Sequence, residues 1–321
     1  MAVAVDVADL VERARDGQQR AVARLISLVE DAHPQLREVA AALTPHTGNA
    51  QVVGLTGPPG VGKSTSTSML ISALRAEGKR VGVLAIDPSS PFSGGALLGD
   101  RIRMTEHAVD PGVFIRSMAT RGHLGGLAWA TPQALRVLDA AGFDVVLVET
   151  VGVGQSEVDV VRLADTTVVL LAPGMGDGIQ AAKAGVLEIA DVFVVNKADR
   201  DGADTTVREL KQMISLARRE VRGHSWRQPI VRTVAAKGEG GGQVIEALAE
   251  HHRWLEANGE LRRRRAARAA GEVEAIAMQS LRAELVDLRG GQRLAELAEG
   301  VVDRRVDPFA AAGQLIESLR S

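Results

Sequence analysis

The sequence predicts an α/β fold in which a mostly parallel sheet is flanked by N-terminal helices and by a C-terminal helical arm. Between Gln51 and about residue 257, short valine-rich runs alternate with longer amphipathic stretches, as in parallel sheets whose strands are buried on both faces. On both sides of this section, apolar residues recur three and four positions apart, which is the helical period. We therefore expect a helical segment at 1–46, an α/β core at 47–257 and a helical arm at 258–321.

The N-terminal segment contains predicted helices between residues 6 and 46, with breaks at Gly17 and Pro34. The strands that follow are QVVGLT, RVGVLAID, VFIRSM, DVVLVET, TTVVLLA, VFVVNK and IVRTVA. From about residue 243 the pattern is helical again, and it includes the basic run LRRRRAARAA. That run could indicate an anionic partner. The acidic Glu272 and Glu274 that follow it, and the lack of interleaved aromatic residues, favour a helix that faces solvent or a partner.

The composition excludes several classes of protein. The chain has 321 residues, 45% of them hydrophobic and 24% charged, and its net charge of −2 gives no general attraction to nucleic acid or to an anionic membrane. It has no cysteine, so disulfides and thiolate metal sites are excluded. The N-terminus MAVAVDVADLVERARDG lacks the features of a signal peptide, and no apolar run approaches the length of a membrane span. We expect a cytoplasmic protein that binds neither nucleic acid nor membrane.

The most specific motif is GPPGVGKS, between the first predicted strand and a predicted helix. It matches the phosphate-binding loop, whose glycines let backbone amides wrap around phosphate oxygens at a helix N-terminus. Lys63 would reach the β- and γ-phosphates, Ser64 would ligate Mg²⁺, and Thr65 would contact the α-phosphate side. The predicted nucleotide-binding residues here are Gly57, Pro58, Pro59, Gly60, Val61, Gly62, Lys63, Ser64 and Thr65.

A second motif, NKAD, predicts a guanine site. It follows the strand VFVV about 140 residues beyond the phosphate loop. The carboxylate of Asp199 can accept the N1–H and the 2-amino hydrogens of guanine, whereas adenine would leave it unpaired. Asn196 would brace the loop and the stem of Lys197 would cover one face of the base. A weaker element, Ala235, Ala236 and Lys237, follows the last strand and would direct a backbone amide at the guanine O6.

Three carboxylates are candidates for holding Mg²⁺ or positioning water. Asp87 ends a strand and begins a segment rich in glycine, proline and serine that extends to Asp100 and beyond. Either residue could instead be a cap, Asp87 before Pro88 and Asp100 at a helix start. The third candidate, Glu149, ends the strand FDVVLV, where ordinary switch GTPases have Asp-x-x-Gly. Gln155 comes three residues after the first glycine of that stretch, so it is displaced from the usual water-positioning place.

Taken together, these segments resemble the methylmalonyl-CoA mutase-associated GTPases, the MeaB/ArgK family within the SIMIBI class of P-loop proteins. The resemblance is carried by GPPGVGKST, IDPSSPFSGGALLGDRIRM, VETVGVGQSE, PGMGDGIQAAKAG and VNKAD, and it extends from about residue 51 to 240. The flanking helices fit the same family. In that context, Glu149 and the sequence after it are the family's own form of the third GTPase motif, so the site is specialised and not decayed.

The resemblance implies a GTP-hydrolysing chaperone that assists an adenosylcobalamin-dependent methylmalonyl-CoA mutase in cofactor loading and in protection from inactivation. It implies bound GTP or GDP with Mg²⁺, and a homodimer formed with the C-terminal arm. Hydrolysis would be slow alone and stimulated by the mutase. The catalytic candidates are Lys63, Asp100, Glu149 and Gln155. Lys183, in the glycine-rich stretch PGMGDGIQAAK, is either a partner-responsive residue or a solvated lysine.

Three alternatives remain at this point. A metallochaperone GTPase of the same class, as in nickel delivery, would need clustered Cys or His ligands, and here only His251 and His252 are adjacent. An ATP-dependent kinase of a basic amino-acid transport system conflicts with the NKAD motif. The third alternative is a GTP-dependent scaffold, in which GTP binding and not GTP hydrolysis produces the effect on the partner. It is close to the chaperone hypothesis.

Overall fold

The computed structural model describes residues 5–87, 105–119, 130–150, 162–174, 189–218, 225–289 and 292–317. The chain divides into two compact units, residues 1–265 and 266–321. No helix in these described ranges is long and apolar enough to cross a membrane.

The first unit opens with three short helices that cover one face of the sheet. They are α1 (Val7–Arg15), α2 (Gln19–Glu30) and α3 (Leu36–Leu43), and the breaks between them lie close to Gly17 and Pro34, as predicted. The side chain of Asp6 caps α1 by accepting from the backbone N–H of Asp9 at 3.0 Å. The apolar stripes of these helices share one buried cluster with side chains of the sheet, among them Leu84, Phe114 and Val148.

Across the described ranges the sheet has seven strands, and every neighbouring pair is parallel, so the predicted α/β class is confirmed. The strands lie in the order β3-β2-β4-β1-β5-β6-β7. Their bounds are β1 (Gln51–Thr56), β2 (Val81–Asp87), β3 (Val113–Ala119), β4 (Val145–Glu149), β5 (Thr166–Leu171), β6 (Val192–Val195) and β7 (Ile230–Arg232). Strands β4, β5 and β6 are buried along their whole length, which explains their nearly continuous apolar sequence.

Helices on both faces complete the layered core. Among the described residues, the first unit also contains α4 (Lys63–Ala76), α5 (Thr131–Ala140), α6 (Ala203–Arg218) and α7 (Gly241–Ala257). Helix α5 packs on the same face as α1, α2 and α3, in the same buried cluster. The apolar residues of α4 and α7 pack together against the central strands. The long helix α8 (Glu260–Arg289) crosses the boundary between the units, and α9 (Gln292–Val302) and α10 (Pro308–Glu317) follow it.

In the basic run at the start of α8, two of the four arginines face solvent and two form ion pairs with buried aspartates. Arg262 and Arg263 are exposed, in agreement with the predicted solvent-facing helix. The prediction is wrong for Arg264 and Arg265. Arg264 donates to both carboxylate oxygens of Asp191 at 2.8 Å, and Arg265 donates to Asp165 at 2.9 Å. Because these two aspartates directly precede β6 and β5, the second turn of α8 is fixed to the amino ends of these two neighbouring strands.

A buried histidine lies beside this ion-pair cluster. His251 of α7 has no exposed side-chain surface, and its Nδ1 lies 2.9 Å from the hydroxyl of Thr166. Its Nε2 lies 3.3 Å from a carboxylate oxygen of Asp191, and the ring centroid of Trp226 is 4.8 Å away. Burial lowers the pKa of His251 from 6.5 to about 4, against the opposing effect of Asp191. The imidazole is therefore neutral in the folded protein at neutral pH.

This histidine predicts a pH dependence of stability. The unfolded chain binds a proton at His251 below pH 6.5, whereas the folded chain does not until about pH 4. The contribution is thus fully present above pH 6.5 and is lost as the pH falls toward 4, by up to about 3 kcal/mol. Urea unfolding between pH 7.5 and 4.5 should show a smaller pH slope for His251→Gln than for the wild type. His252→Gln, which changes the half-buried neighbour, should keep the wild-type slope; equal slopes for wild type and His251→Gln would contradict the assignment.

Candidate functional site

The phosphate-binding motif lies where β1 ends and α4 begins, at the centre of the sheet. Gly62 occupies the N-cap position of α4 with a φ of 92°, in the left-handed region. The first N–H groups of a helix have no partner within it, so those of α4 are directed at the space in front of the loop. Lys63 folds over the loop, and its Nζ donates to the carbonyls of Gly57 at 2.8 Å and Pro58 at 3.1 Å. Thr65, Pro59 and Gly60 are exposed.

Two glycines of the motif permit close approach of other chain segments. Gly57 has a φ of 146°, and a Cβ there would overlap the carbonyl oxygen of Leu170 on the neighbouring strand β5. A Cβ on Gly62 would lie 2.6 Å from Nδ2 of Asn196. By contrast, Gly60 has a φ of 79° and open space where a Cβ would stand. The loop is thus packed tightly against the sheet at its start and against the base motif at its end.

Gly57→Ala should therefore be much more damaging than Gly60→Ala. The first substitution adds a backbone clash to an unfavourable φ, and we expect it to lower the free energy of unfolding by about 3 kcal/mol. The second adds only the left-handed strain, about 1 kcal/mol. Chemical denaturation without nucleotide would measure both. Similar losses for the two variants would show that the contact with Leu170 is unimportant.

Glu149 is brought directly against the helix that follows the phosphate loop. It is the last residue of β4, paired in register with Leu55 of β1, and only 4% of its surface is exposed. Its Oε1 accepts from the hydroxyl of Ser64 at 2.7 Å, and its Oε2 accepts from the hydroxyl of Thr67 at 2.7 Å. Thr67 was not among the residues predicted from the sequence. Its spacing from Ser64, three residues along a helix, places the two hydroxyls on one face.

The donor set beside the phosphate loop suits Mg²⁺. This cation takes oxygen ligands, needs few of them from the protein in nucleotide sites and keeps several waters. Ser64 and Glu149 supply a hydroxyl and a carboxylate, both buried and adjacent. Within the described part of the chain, no group of three or more His, Asp or Glu side chains could hold a metal. The residues present thus fit a metal that is held mainly by phosphate and water.

The NKAD motif is bonded directly to the phosphate loop. Asn196 donates from Nδ2 to the carbonyl of Val61 at 2.8 Å, and Lys197 donates from Nζ to the carbonyl of Gly60 at 2.6 Å. The Oδ1 of Asn196 accepts from the backbone N–H of Ala235 at 3.0 Å. Asn196 therefore joins three loops, since β1, β6 and β7 all end at the same edge of the sheet.

The two charged residues at the outer end of this edge pair with each other. Asp199 and Lys237 lie 3.2 Å apart, with 42% and 58% of their side chains exposed. A hydrogen bond from Lys237 is the main cause that lowers the pKa of Asp199 below its usual value of 3.8. The carboxylate is therefore ionised at neutral pH and can accept hydrogen bonds. Ala235–Lys237 forms one turn of 3₁₀-helix in which Ala236 is exposed.

Several predicted residues fall where the structure gives no side-chain description. The backbone of Asp87 ends β2, two residues beyond Ala85, which pairs with Glu149. Asp87 therefore lies toward the same carboxyl edge as the phosphate loop, and only its backbone is described. Asp100, Gln155 and Lys183 lie outside the described residues.

Comparison with known proteins gives consistent results. The sequence matches the family model described as methylmalonyl-CoA mutase-associated GTPase MeaB over residues 22–288. A candidate GTPase from Pyrococcus abyssi is 49% identical over 312 residues, which cover 97% of this chain and 96% of that protein. The Mus musculus protein named methylmalonic aciduria type A homolog, mitochondrial, is 39% identical over 266 residues, covering 78% of this chain and 64% of that protein. The crystal structure of LAO/AO transport system kinase matches with a TM-score of 0.70 at 28% identity and covers 100% of both chains.

Proposed function

This chain belongs to the MeaB family of methylmalonyl-CoA mutase-associated GTPases, and from that premise we propose that it is a GTP-hydrolysing chaperone of an adenosylcobalamin-dependent methylmalonyl-CoA mutase. In this role it binds GTP with Mg²⁺ and hydrolyses it to GDP and phosphate. Turnover is slow alone and is stimulated by the mutase. The chaperone couples that cycle to cofactor loading of the mutase and to its protection from inactivation.

The observation that carries the nucleotide part of the proposal is the direct bonding of the phosphate loop to the base motif. Asn196 and Lys197 donate hydrogen bonds to the carbonyls of Val61 and Gly60. The phosphate loop and the base motif are therefore fixed relative to each other. The ionised carboxylate of Asp199 then selects guanine, because it accepts two hydrogens that adenine cannot supply together. Positioning of this kind is the main contribution of the protein in phosphoryl transfer.

The chain's own residues have distinct roles in the proposed reaction. Lys63 leaves the carbonyls that it contacts here and binds the β- and γ-phosphates, while the amides at the start of α4 surround the phosphate oxygens. Ser64 holds the metal, and Glu149 orients Ser64 by accepting its hydroxyl hydrogen. Bound Mg²⁺ neutralises charge on the phosphates. Asp87, Asp100 and Gln155 are proposed to complete this site, and Lys183 to respond to the partner.

Support for the mutase as partner comes from the family description, which names methylmalonyl-CoA mutase, and from the mouse relative, whose name refers to methylmalonic aciduria. We propose further that the protein is a homodimer built with the arm at 258–321. Four apolar side chains of α8, those of Val273, Ile276, Met278 and Leu281, are at least 46% exposed in the single chain. A second copy of the chain would remove them from water.

GTP turnover with and without a methylmalonyl-CoA mutase from the same organism tests the proposal. We expect the mutase to raise GTP turnover and ATP to be inactive in both conditions. GTP binding without any response to the mutase would leave the protein a guanine-nucleotide enzyme with a different partner. ATP turnover equal to GTP turnover would instead favour a kinase, which is how the similar crystal structure is named.

A further inference from the structure

The carboxylate of Glu149 is held by two hydroxyls of the same helix. Ser64 donates to one of its oxygens and Thr67 to the other, each at 2.7 Å. Thr67 has no exposed surface, and Ser64 and Glu149 are 6% and 4% exposed. The contact is therefore shielded from water, and each hydrogen bond to the carboxylate is charge-assisted.

The chemistry of a hydroxyl gives these two bonds different consequences. A hydroxyl has one hydrogen to donate and lone pairs that accept or ligate. When Ser64 donates its hydrogen to Glu149, its lone pairs face away from the carboxylate. This is the orientation that a metal ligand needs. For Glu149 to keep accepting from Ser64, its carboxyl group must not rotate, and the bond from Thr67 to the second oxygen opposes that rotation.

We propose that Thr67 is a positioning residue that fixes Glu149 as the acceptor for the Ser64 hydroxyl and thereby directs the lone pairs of Ser64 at Mg²⁺. This inference rests on the proposed function, since it concerns the metal of the nucleotide site. It adds a residue outside the phosphate-loop motif to the machinery that holds the metal. It also makes Glu149 an orienting group that acts through Ser64.

The other contact of Thr67 does not account for its placement. Its hydroxyl lies 3.1 Å from the carbonyl of Lys63, the ordinary bond of a helical threonine to the preceding turn. The single hydrogen goes preferentially to the carboxyl oxygen of Glu149 at 2.7 Å, because that acceptor is nearer than the carbonyl at 3.1 Å.

Substitutions at Thr67 and at a neighbour provide a matched test. Thr67→Val and Thr67→Ala both remove the hydroxyl but differ in side-chain volume, and Thr67→Ser keeps the hydroxyl. Ser66→Ala is the control. Ser66 is equally buried on the adjacent helix position, and its hydroxyl has no hydrogen-bond partner among the described residues. The readout is the Mg²⁺ concentration that half-saturates retention of a fluorescent GDP analogue on the full-length protein, with binding in EDTA measured alongside.

We expect Thr67→Val and Thr67→Ala to raise the half-saturating Mg²⁺ concentration about tenfold, which corresponds to the loss of one hydrogen bond to a charged group. GDP binding in EDTA should change less than about twofold, and Thr67→Ser and Ser66→Ala should match the wild type on the same scale. In a Glu149→Ala background, which removes both acceptor oxygens, the Thr67 substitutions should have no further effect, because Thr67 acts through that carboxyl group.

An unchanged Mg²⁺ requirement in both Thr67 variants would overturn the inference, as would an equal shift in Ser66→Ala. The proposed function is tested independently of the Thr67 inference. A wild-type protein that needs Mg²⁺ to retain GDP but ignores the mutase would refute the mutase role and leave the Thr67 inference standing. A wild-type protein that retains GDP independently of Mg²⁺ would overturn the Thr67 inference and leave the proposed function to the turnover assay.

Discussion

Lys63→Ala is expected to lower GTP turnover at saturating nucleotide by about a thousandfold. Lys63 is the cation that the phosphate loop supplies, and only 8% of its surface is exposed, so solvent cannot replace its charge. Its Nζ now bonds the carbonyls of Gly57 and Pro58, within the loop itself. The same side chain can therefore move onto phosphate oxygens without rearrangement of the backbone. Single-turnover hydrolysis of GTP, with and without the mutase, would measure the loss.

Lys79→Ala provides the control for this substitution. Lys79 is exposed just before β2 and lies outside the nucleotide site, so its removal should leave turnover unchanged. Thermal unfolding should show both variants to be folded. Lys63→Ala protein that retains more than about a tenth of wild-type turnover would contradict the assignment of Lys63 to the transferring phosphate. If the Lys63→Ala protein no longer hydrolyses GTP but still acts on the mutase like the wild type, the scaffold hypothesis would be favoured.

Asp199→Asn is expected to weaken GTP binding by about a hundredfold and to create a preference for XTP. In the proposed site, the carboxylate of Asp199 would accept both the N1–H and a 2-amino hydrogen of guanine. An asparagine would present its own N–H to the 2-amino group, which leaves two donors facing each other. Xanthine has a carbonyl at that position, so the asparagine amide can pair with it. The contact between Lys237 and the Asp199 carboxylate, 3.2 Å here, would also be weakened.

Competition of GTP, XTP and ATP for a fluorescent GDP analogue would measure this change of specificity. Asp201→Asn, an equivalent substitution at an exposed aspartate in the same turn, should bind GTP like the wild type. If Asp199→Asn binds GTP normally, the carboxylate does not contact the base, and guanine selection must come from elsewhere. If the wild type binds ATP as well as GTP, the guanine assignment itself is wrong.

The arginine run shows where sequence patterns are insufficient. Four consecutive arginines on a helix have the same local pattern whether they face solvent or protein. Arg262 and Arg263 are exposed, while Arg264 and Arg265 pair with aspartates that lie 73 and 100 residues earlier in the chain. Whether an arginine faces solvent or protein depends on how α8 packs against the sheet. The hydrophobic periodicity of the sequence carries no information about that packing.

Glu149 and Thr67 show the same limit within the candidate site. The sequence predicted that Glu149 ends a buried strand and is a candidate for holding Mg²⁺ or positioning water. It left open whether the carboxylate acts on a metal, on water or on another side chain. The register of β4 with β1 then places Glu149 opposite Leu55, within reach of the first turn of α4. Only that placement makes Thr67 its partner, because 82 residues separate the two in the chain.

The sequence by itself therefore determined the fold class, the approximate bounds of the strands along the chain, the family and the positions of the phosphate and base motifs. These are local properties, since they follow from periodicity, glycine and proline placement and short motifs whose chemistry needs adjacent residues. The tertiary structure alone decided which distant groups meet: the joining of three loops by Asn196, the two hydroxyls on Glu149, the arginines on the buried aspartates and the neutral His251. Hydrogen bonds and burial depend on distances across the sheet, and these are fixed only when the strands pair in register.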